Sequence, residues 1–66
     1  MKNYQHQTKD ALLREKSQLL HDIAGWKNTL ESVKSYLIVL YLKHAIGKAE
    51  EKIHAIEAEL LYREHN

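Results

Sequence analysis

A glutamate and a histidine at metal-binding spacing are the first candidates for chemistry in this sequence. Glu51 and His54 are separated as Glu-x-x-His, the spacing that di-iron four-helix bundles use twice. Such a site also needs inward-facing ligands and carboxylates from neighbouring helices. Ile53 and Ile56 mark the apolar side of the same predicted helix, so the periodicity turns Glu51 and His54 towards solvent. We therefore predict no di-iron site here.

Zinc binding and nucleophilic catalysis have no better support. No two of the five histidines form a His-x-x-x-His pair, and the chain has no cysteine, so a zinc site within one helix is not predicted. Ser17, Ser32 and Ser35 stand among helix formers without a glycine-rich phosphate loop. Nucleophilic catalysis needs a nucleophile, a base and an orienting group in a shaped pocket. We accordingly predict a protein that is not an enzyme and that holds no metal or cofactor.

The balance of charge argues against nucleic acid as the main partner. Ten Lys and Arg residues face nine Asp and Glu residues, for a net charge of +1, and the basic residues do not cluster as phosphate recognition requires. A dimeric helical protein that binds nucleic acid is kept as the alternative function. The first ten residues, MKNYQHQTKD, lack an apolar signal segment, so a cytoplasmic location is expected.

The elements that position these residues are predicted to be helices. The sequence has no proline, only two glycines, and many helix formers. Two apolar series recur at three- and four-residue steps, as amphipathic helices require. The first series is Leu12, Leu19, Ile23, Trp26, Leu30, Val33, Leu37 and Leu40, with Lys16 as a polar interruption between its first two members, and the second is Leu42, Ile46, Ala49, Ile53, Ile56 and Leu60. The second series is rotated by about 200° from the first, which predicts a bend or partners on two sides.

The two glycines mark the places where the chain could bend. Gly25 and Gly47 each suit the position after a helix C-terminus, and Asn28 with Glu31 is spaced as a capping box for a following helix. Breaks at both glycines would give segments of roughly 8–24, 28–46 and 48–64. Residues 1–7 would then form an N-terminal tail. A break at one glycine gives an unequal hairpin, and no break gives a continuous helix. The sequence does not choose among these three arrangements, but it favours at least one bend.

The run from Tyr36 to Leu42 is the most apolar part of the sequence, with seven consecutive apolar or aromatic residues. A transmembrane helix needs about 20 mostly apolar residues, and charged residues flank this run on both sides, so no membrane span is predicted. A helix that is apolar all round is expected to be buried all round. We expect Leu37 to close the core of the chain and Ile38 to meet a second chain, with the reverse assignment of the two faces as the alternative.

The predicted interaction surface is centred on residues 36–42. It contains large apolar and aromatic side chains: Trp26, Tyr36, Ile38, Tyr41 and Leu42. Tyrosine suits interfaces because its ring is apolar and its hydroxyl is polar. A chain of 66 residues without cysteine has a marginal core and no disulfide to support it. A homo-oligomer, with a dimer as the expected form, or a complex with a partner protein is therefore predicted.

Together these observations predict an all-α fold in a single helical domain. The expected architecture is a small helical hairpin or a three-segment helical bundle, completed by self-association or by a partner chain. The predicted function is a non-catalytic protein–protein interaction module, such as a small adaptor, co-chaperone or regulator. It would act through the apolar helical surface centred on residues 36–42.

Overall fold

The computed structural model describes residues 4–65 as a helical hairpin. Helix α1 comprises Lys9–Ser32, helix α2 comprises Tyr36–Glu64, and residues 33–35 form the loop between them. The molecule measures 47 × 19 × 16 Å. Between residues 4 and 65 there is no strand, and neither helix there is long and apolar enough to cross a membrane. The prediction of an all-α fold is confirmed, and the chain forms a hairpin, although its bend lies at neither glycine.

Local hydrogen bonds define where α1 begins and ends. The side-chain oxygen of Thr8 accepts a hydrogen bond of 3.1 Å from the Ala11 N–H, which is the usual N-cap arrangement. At the other end Val33 has extended backbone, with φ −80° and ψ 134°, while its N–H still donates to the Thr29 carbonyl at 3.1 Å. The Ser32 hydroxyl donates to the same carbonyl at 3.2 Å, a local bond that competes with continuation of the helix.

Neither glycine ends a helix, so the predicted bends at Gly25 and Gly47 are wrong. Gly25 lies inside α1 and Gly47 inside α2, and neither has a positive φ. A glycine is needed after a helix where the chain adopts the left-handed conformation, and neither position does so. A Cβ placed on either residue would meet nothing within 4 Å, so close packing does not require glycine there. Two helices that separate at residues 33–35 replace the three predicted segments.

The change of phase between the two apolar series falls at this loop. Because α2 starts at Tyr36, the residues of the second series form the side of α2 that packs against α1. The residues of the first series pack in the core only as far as the end of α1. Leu37 is consequently 76% exposed, and the prediction that it closes the core is wrong. Within the run 36–42, the residues with little exposed surface are Leu42, which is buried, and Val39, which is half-buried.

The core is a single layer between the two helices and consists of two clusters. The middle cluster is formed by Ile23, Ile46, Ala49 and Ile53, with Leu19, Trp26 and Leu30 packed against it. The terminal cluster is formed by Tyr4, Leu12 and Ile56, with Leu19 and Leu60 packed against it. No polar or charged residue between positions 4 and 65 is classed as buried. Burial of apolar surface is thus the main favourable term in the stability of the hairpin.

Residues 4–7 form a turn that folds back onto the hairpin, so the predicted N-terminal tail is wrong for this part of it. The Gln7 N–H donates to the Tyr4 carbonyl at 3.2 Å. Tyr4 is 7% exposed and belongs to the terminal cluster, and its hydroxyl donates to a Glu15 carboxylate oxygen at 3.2 Å. The buried aromatic ring explains why the turn is held against the helices. Residues 1–3 of the predicted tail lie outside the described part of the chain.

Candidate interaction surface

A group of exposed apolar side chains covers the first two turns of α2. We call it the loop-end patch, and it consists of Tyr36, Leu37, Ile38, Leu40 and Tyr41. The exposed fractions of these residues range from 46% to 76%. Contiguous apolar surface of this kind is typical of a binding site in a folded protein, whereas a single exposed leucine needs no explanation. The patch is therefore the strongest candidate functional surface in the described part of the molecule.

The structure separates the five predicted surface residues into two groups. Tyr36, Ile38 and Tyr41 are exposed and belong to the loop-end patch. Leu42 is only 7% exposed, and Trp26 is half-buried against the middle cluster. Both of these side chains contribute to the interior of the hairpin, so we leave them out of the candidate surface.

Sequence periodicity misses two members of the patch. Leu37 and Leu40 continue the spacing of the first apolar series, yet both are exposed because that series ends with α1. The sequence feature that indicates where α1 ends and α2 begins is the pair Ser32 and Ser35 on either side of Val33. Serine favours helix caps over helix interiors, and a β-branched residue lowers helix propensity. A helix that starts after Ser35 places both leucines on its exposed sides.

The side of α2 opposite α1, which we call the outer face, is exposed along its whole length. Its middle carries polar residues, among them His44, Lys48 and Glu51. A second pair of exposed apolar residues, Leu61 and Tyr62, lies near the C-terminal end of the helix. The outer face therefore has apolar surface at both ends and polar surface between them.

The terminal end of the hairpin, where α1 starts and α2 ends, is closed by hydrogen bonds from Arg63. Its Nη2 donates to the carbonyls of Tyr4 at 3.1 Å, Gln5 at 3.3 Å and Gln7 at 2.6 Å. Its Nε donates to the Glu59 carboxylate at 2.8 Å. Hydrogen bonds from a charged donor are stronger than those between neutral groups. Arg63 therefore ties the N-terminal turn to the last turns of α2.

Ion pairs join basic to acidic side chains on the hairpin. The ion pairs include Lys16 with Glu57 at 3.1 Å, Lys48 with Glu51 at 3.9 Å, and Arg63 with Glu59 at 2.8 Å. Binding to nucleic acid depends on cations that can neutralise phosphates. These pairs give no specific support to the alternative of a nucleic-acid-binding protein.

The Glu-x-x-His pair is not part of a larger metal-binding group in the described chain. Ile53 and Ile56 are buried while Glu51 and His54 are exposed, so the predicted orientation of the Glu-x-x-His pair is confirmed. Among residues 4–65, no three His, Asp or Glu side chains come together as a metal-binding group. A depression at the terminal end, partly open to solvent, is lined by Lys9, Leu13, Leu60, Arg63 and Glu64. This lining contains neither a serine nor a histidine.

Comparison with known proteins gives no match for this chain: no protein-family model, no curated protein and no solved structure is significantly similar to it.

Proposed function

We propose that this protein is a non-catalytic interaction module that binds another protein chain through the loop-end patch. The observation that carries the proposal is the exposure of five large apolar side chains on two consecutive turns of one helix. The bound chain is either a second copy or a different protein. An adaptor, a co-chaperone or a small regulator would all use such a surface.

The composition of the patch suits a protein partner. Full burial of one large apolar side chain is worth about 1.5–3 kcal/mol, so covering even part of five such residues gives a substantial gain. Tyr36 and Tyr41 add hydroxyl groups that can form hydrogen bonds at the rim, which is why tyrosine is enriched at interfaces.

The small core of the hairpin gives a second reason for association. The two clusters together bury only a single layer of apolar residues between two helices. Domains of this size usually require additional support from a disulfide, a metal or association, and this chain has no cysteine. Covering the loop-end patch would extend the core beyond that layer.

Capture from the native cell tests the proposal. The tagged protein should bring down an untagged copy or another protein at a constant ratio, identified by mass spectrometry. Leu37→Asp should abolish this capture because it places a charge in the patch, while circular dichroism should still show a helical protein. Leu20→Asp is the matched control, since Leu20 is an exposed leucine on α1 outside the patch.

Two results would count against the proposal. If neither a second copy nor another protein is captured with the wild-type chain, the patch is not an interaction surface. If Leu20→Asp abolishes capture and Leu37→Asp does not, the interaction surface lies elsewhere on the hairpin.

A further inference from the structure

The outer face of α2 carries a regular seam of exposed residues. Starting at Leu37 and moving in alternating steps of four and three residues, the seam passes through positions 41, 44, 48, 51, 55 and 58 and ends at Tyr62. Every residue at these positions is exposed. Alternating steps of three and four are the spacing of helices that pack together along their length. The buried side of α2 has the same spacing, from Leu42 through Ile46 to Ile56, and it packs against α1, so the seam has the geometry to receive a second helix in the same way.

The order of large and small residues along the seam is complementary to the seam of a second α2 helix that runs antiparallel to the first. When a second α2 is laid antiparallel with Leu37 opposite Tyr62 of the second copy, Tyr41 falls opposite Ala58 of that copy. Large apolar residues then meet at both ends of the contact, and the tyrosine ring faces a small residue with room to accept it. Because the relation is two-fold, the same contacts form twice.

The charges at the centre of the seam fit the same register. Lys48 and Glu51 are exposed, and within one helix the Lys48 Nζ lies 3.9 Å from the Glu51 Oε2. In the antiparallel register Lys48 lies opposite Glu51 of the second copy, and Glu51 lies opposite Lys48 of that copy. In a parallel pair each lysine would face a lysine and each glutamate a glutamate, which is unfavourable. The charge pattern is therefore complementary to the antiparallel arrangement alone.

Two more exposed leucines beside the seam agree with this register. Leu40 and Leu61 lie on the same flank of the outer face, each one residue before a seam position. In the antiparallel pair Leu40 comes to nearly the same height as Leu61 of the second copy, so the two can cover each other. The apolar residues at both ends of the outer face are thus accounted for by one contact.

We propose that a second copy of this chain covers the outer face of α2, antiparallel to the first, so that two hairpins form a four-helix dimer. This inference rests on the proposed function, because it names the occupant of the loop-end patch. The dimer covers Leu37 and Tyr41 with the C-terminal part of the second α2. Lys48 and Glu51 of the two copies surround the two-fold axis.

Cysteine cross-linking tests the register, and the absence of native cysteine makes the result simple to interpret. Leu37→Cys and Tyr62→Cys proteins, mixed and mildly oxidised, should form a covalent dimer. Leu37→Cys alone should not, because in the antiparallel dimer the two copies of position 37 lie at opposite ends of α2, about 38 Å apart. Leu20→Cys mixed with Tyr62→Cys is the control and should also stay free of covalent dimer.

Charge reversal tests the centre of the seam independently. Lys48→Glu and Glu51→Lys should each weaken the dimer on the order of tenfold in sedimentation, because each places four like charges at the two-fold axis. The double variant Lys48→Glu/Glu51→Lys should restore wild-type association, since the opposite charges meet again. Lys27→Glu, the same change on an exposed residue of α1, should have no effect.

The results separate this inference from the proposed function. Cross-linking of Leu37→Cys with itself, or a double charge variant that dimerises no better than the single ones, would overturn the antiparallel dimer. If Leu37→Asp still abolishes capture in that case, the interaction module stands with another occupant. If neither capture nor any cross-link is seen, both the inference and the proposed function are wrong.

Discussion

The two ends of this hairpin contain similar apolar residues, but these residues are buried at the terminal end and exposed at the loop end. At the terminal end, Tyr4 of the N-terminal turn covers Leu12 and Ile56, and all three are buried. At the loop end, Leu37 and Tyr41 are more than two-thirds exposed. A third segment of the same chain closes one end, and nothing in the described chain closes the other. The loop end is therefore the surface that the proposed partner chain would cover.

The difference follows from what the chain provides at each end. The turn of residues 4–7 supplies an aromatic ring and three backbone carbonyls that accept hydrogen bonds from Arg63. The loop of residues 33–35 is too short to fold back over α2, and α2 begins with no side-chain cap from Ser35. The five residues of the loop-end patch therefore keep their exposed surface.

The largest expected difference in stability is between two variants that place the same charge at the two ends of the hairpin. Leu12→Asp puts a carboxylate at a position that is 0% exposed, which should cost about 3 kcal/mol or more. That is a large share of the stability of a small domain, so the helical signal in circular dichroism should be lost. Leu37→Asp should leave the helical signal of the isolated hairpin nearly unchanged because Leu37 is on the surface. Equal loss of helix in both variants would contradict the comparison of the two ends.

A smaller effect is expected when the hydrogen bonds at the terminal end are removed. Arg63→Ala eliminates the donors to the N-terminal turn and to Glu59, and we expect about 1–3 kcal/mol loss in the free energy of unfolding. Amide hydrogen exchange should also become faster at residues 5–12 than in the wild type. Arg14→Ala removes an exposed arginine from α1 and should change stability by less than about 0.5 kcal/mol. Equal effects of the two substitutions would show that Arg63 does not close this end.

The smallest effect distinguishes a continuous α1 from a helix that bends at its glycine. Gly25 lies in helical conformation, and the space that an added methyl group would occupy is open, so Gly25→Ala should stabilise the protein by about 0.5–1 kcal/mol. Urea unfolding of the two proteins measures this difference. A glycine in the left-handed conformation would give the opposite sign, because alanine is strained there. Destabilisation would therefore support the bend that the structure lacks.

Helical periodicity is sufficient to predict the fold class and most of the buried residues. Ile46, Ile53 and Ile56 lie where the second apolar series predicts them. The position of the bend could not be predicted in the same way, because a glycine in a sequence suggests a helix end whether or not the chain turns there. The actual loop has neither glycine nor proline, and its signals are the weak preference of serine for helix ends and the lower helix propensity of Val33.

Locating the candidate surface depends on knowing where the loop between the two helices lies. Once α2 is known to start at Tyr36, the exposed sides of the helix follow from the helical repeat, and Leu37 moves from the predicted core to the surface. The buried position of Tyr4 has no comparable signal, since its side chain packs against Ile56 of α2, more than fifty positions away, as well as against Leu12. Contacts of this range are set by tertiary packing and leave no periodic pattern.

The melting temperature as a function of protein concentration tests the central claim most directly. If a second copy covers the outer face of α2, the wild-type melting temperature should rise by on the order of 10 °C over a hundredfold increase in concentration. The Leu37→Asp protein should melt at a temperature that does not depend on concentration, because it lacks the dimer. A wild-type melting temperature that stays constant over the same range would contradict the claim that the hairpin is completed by a second copy.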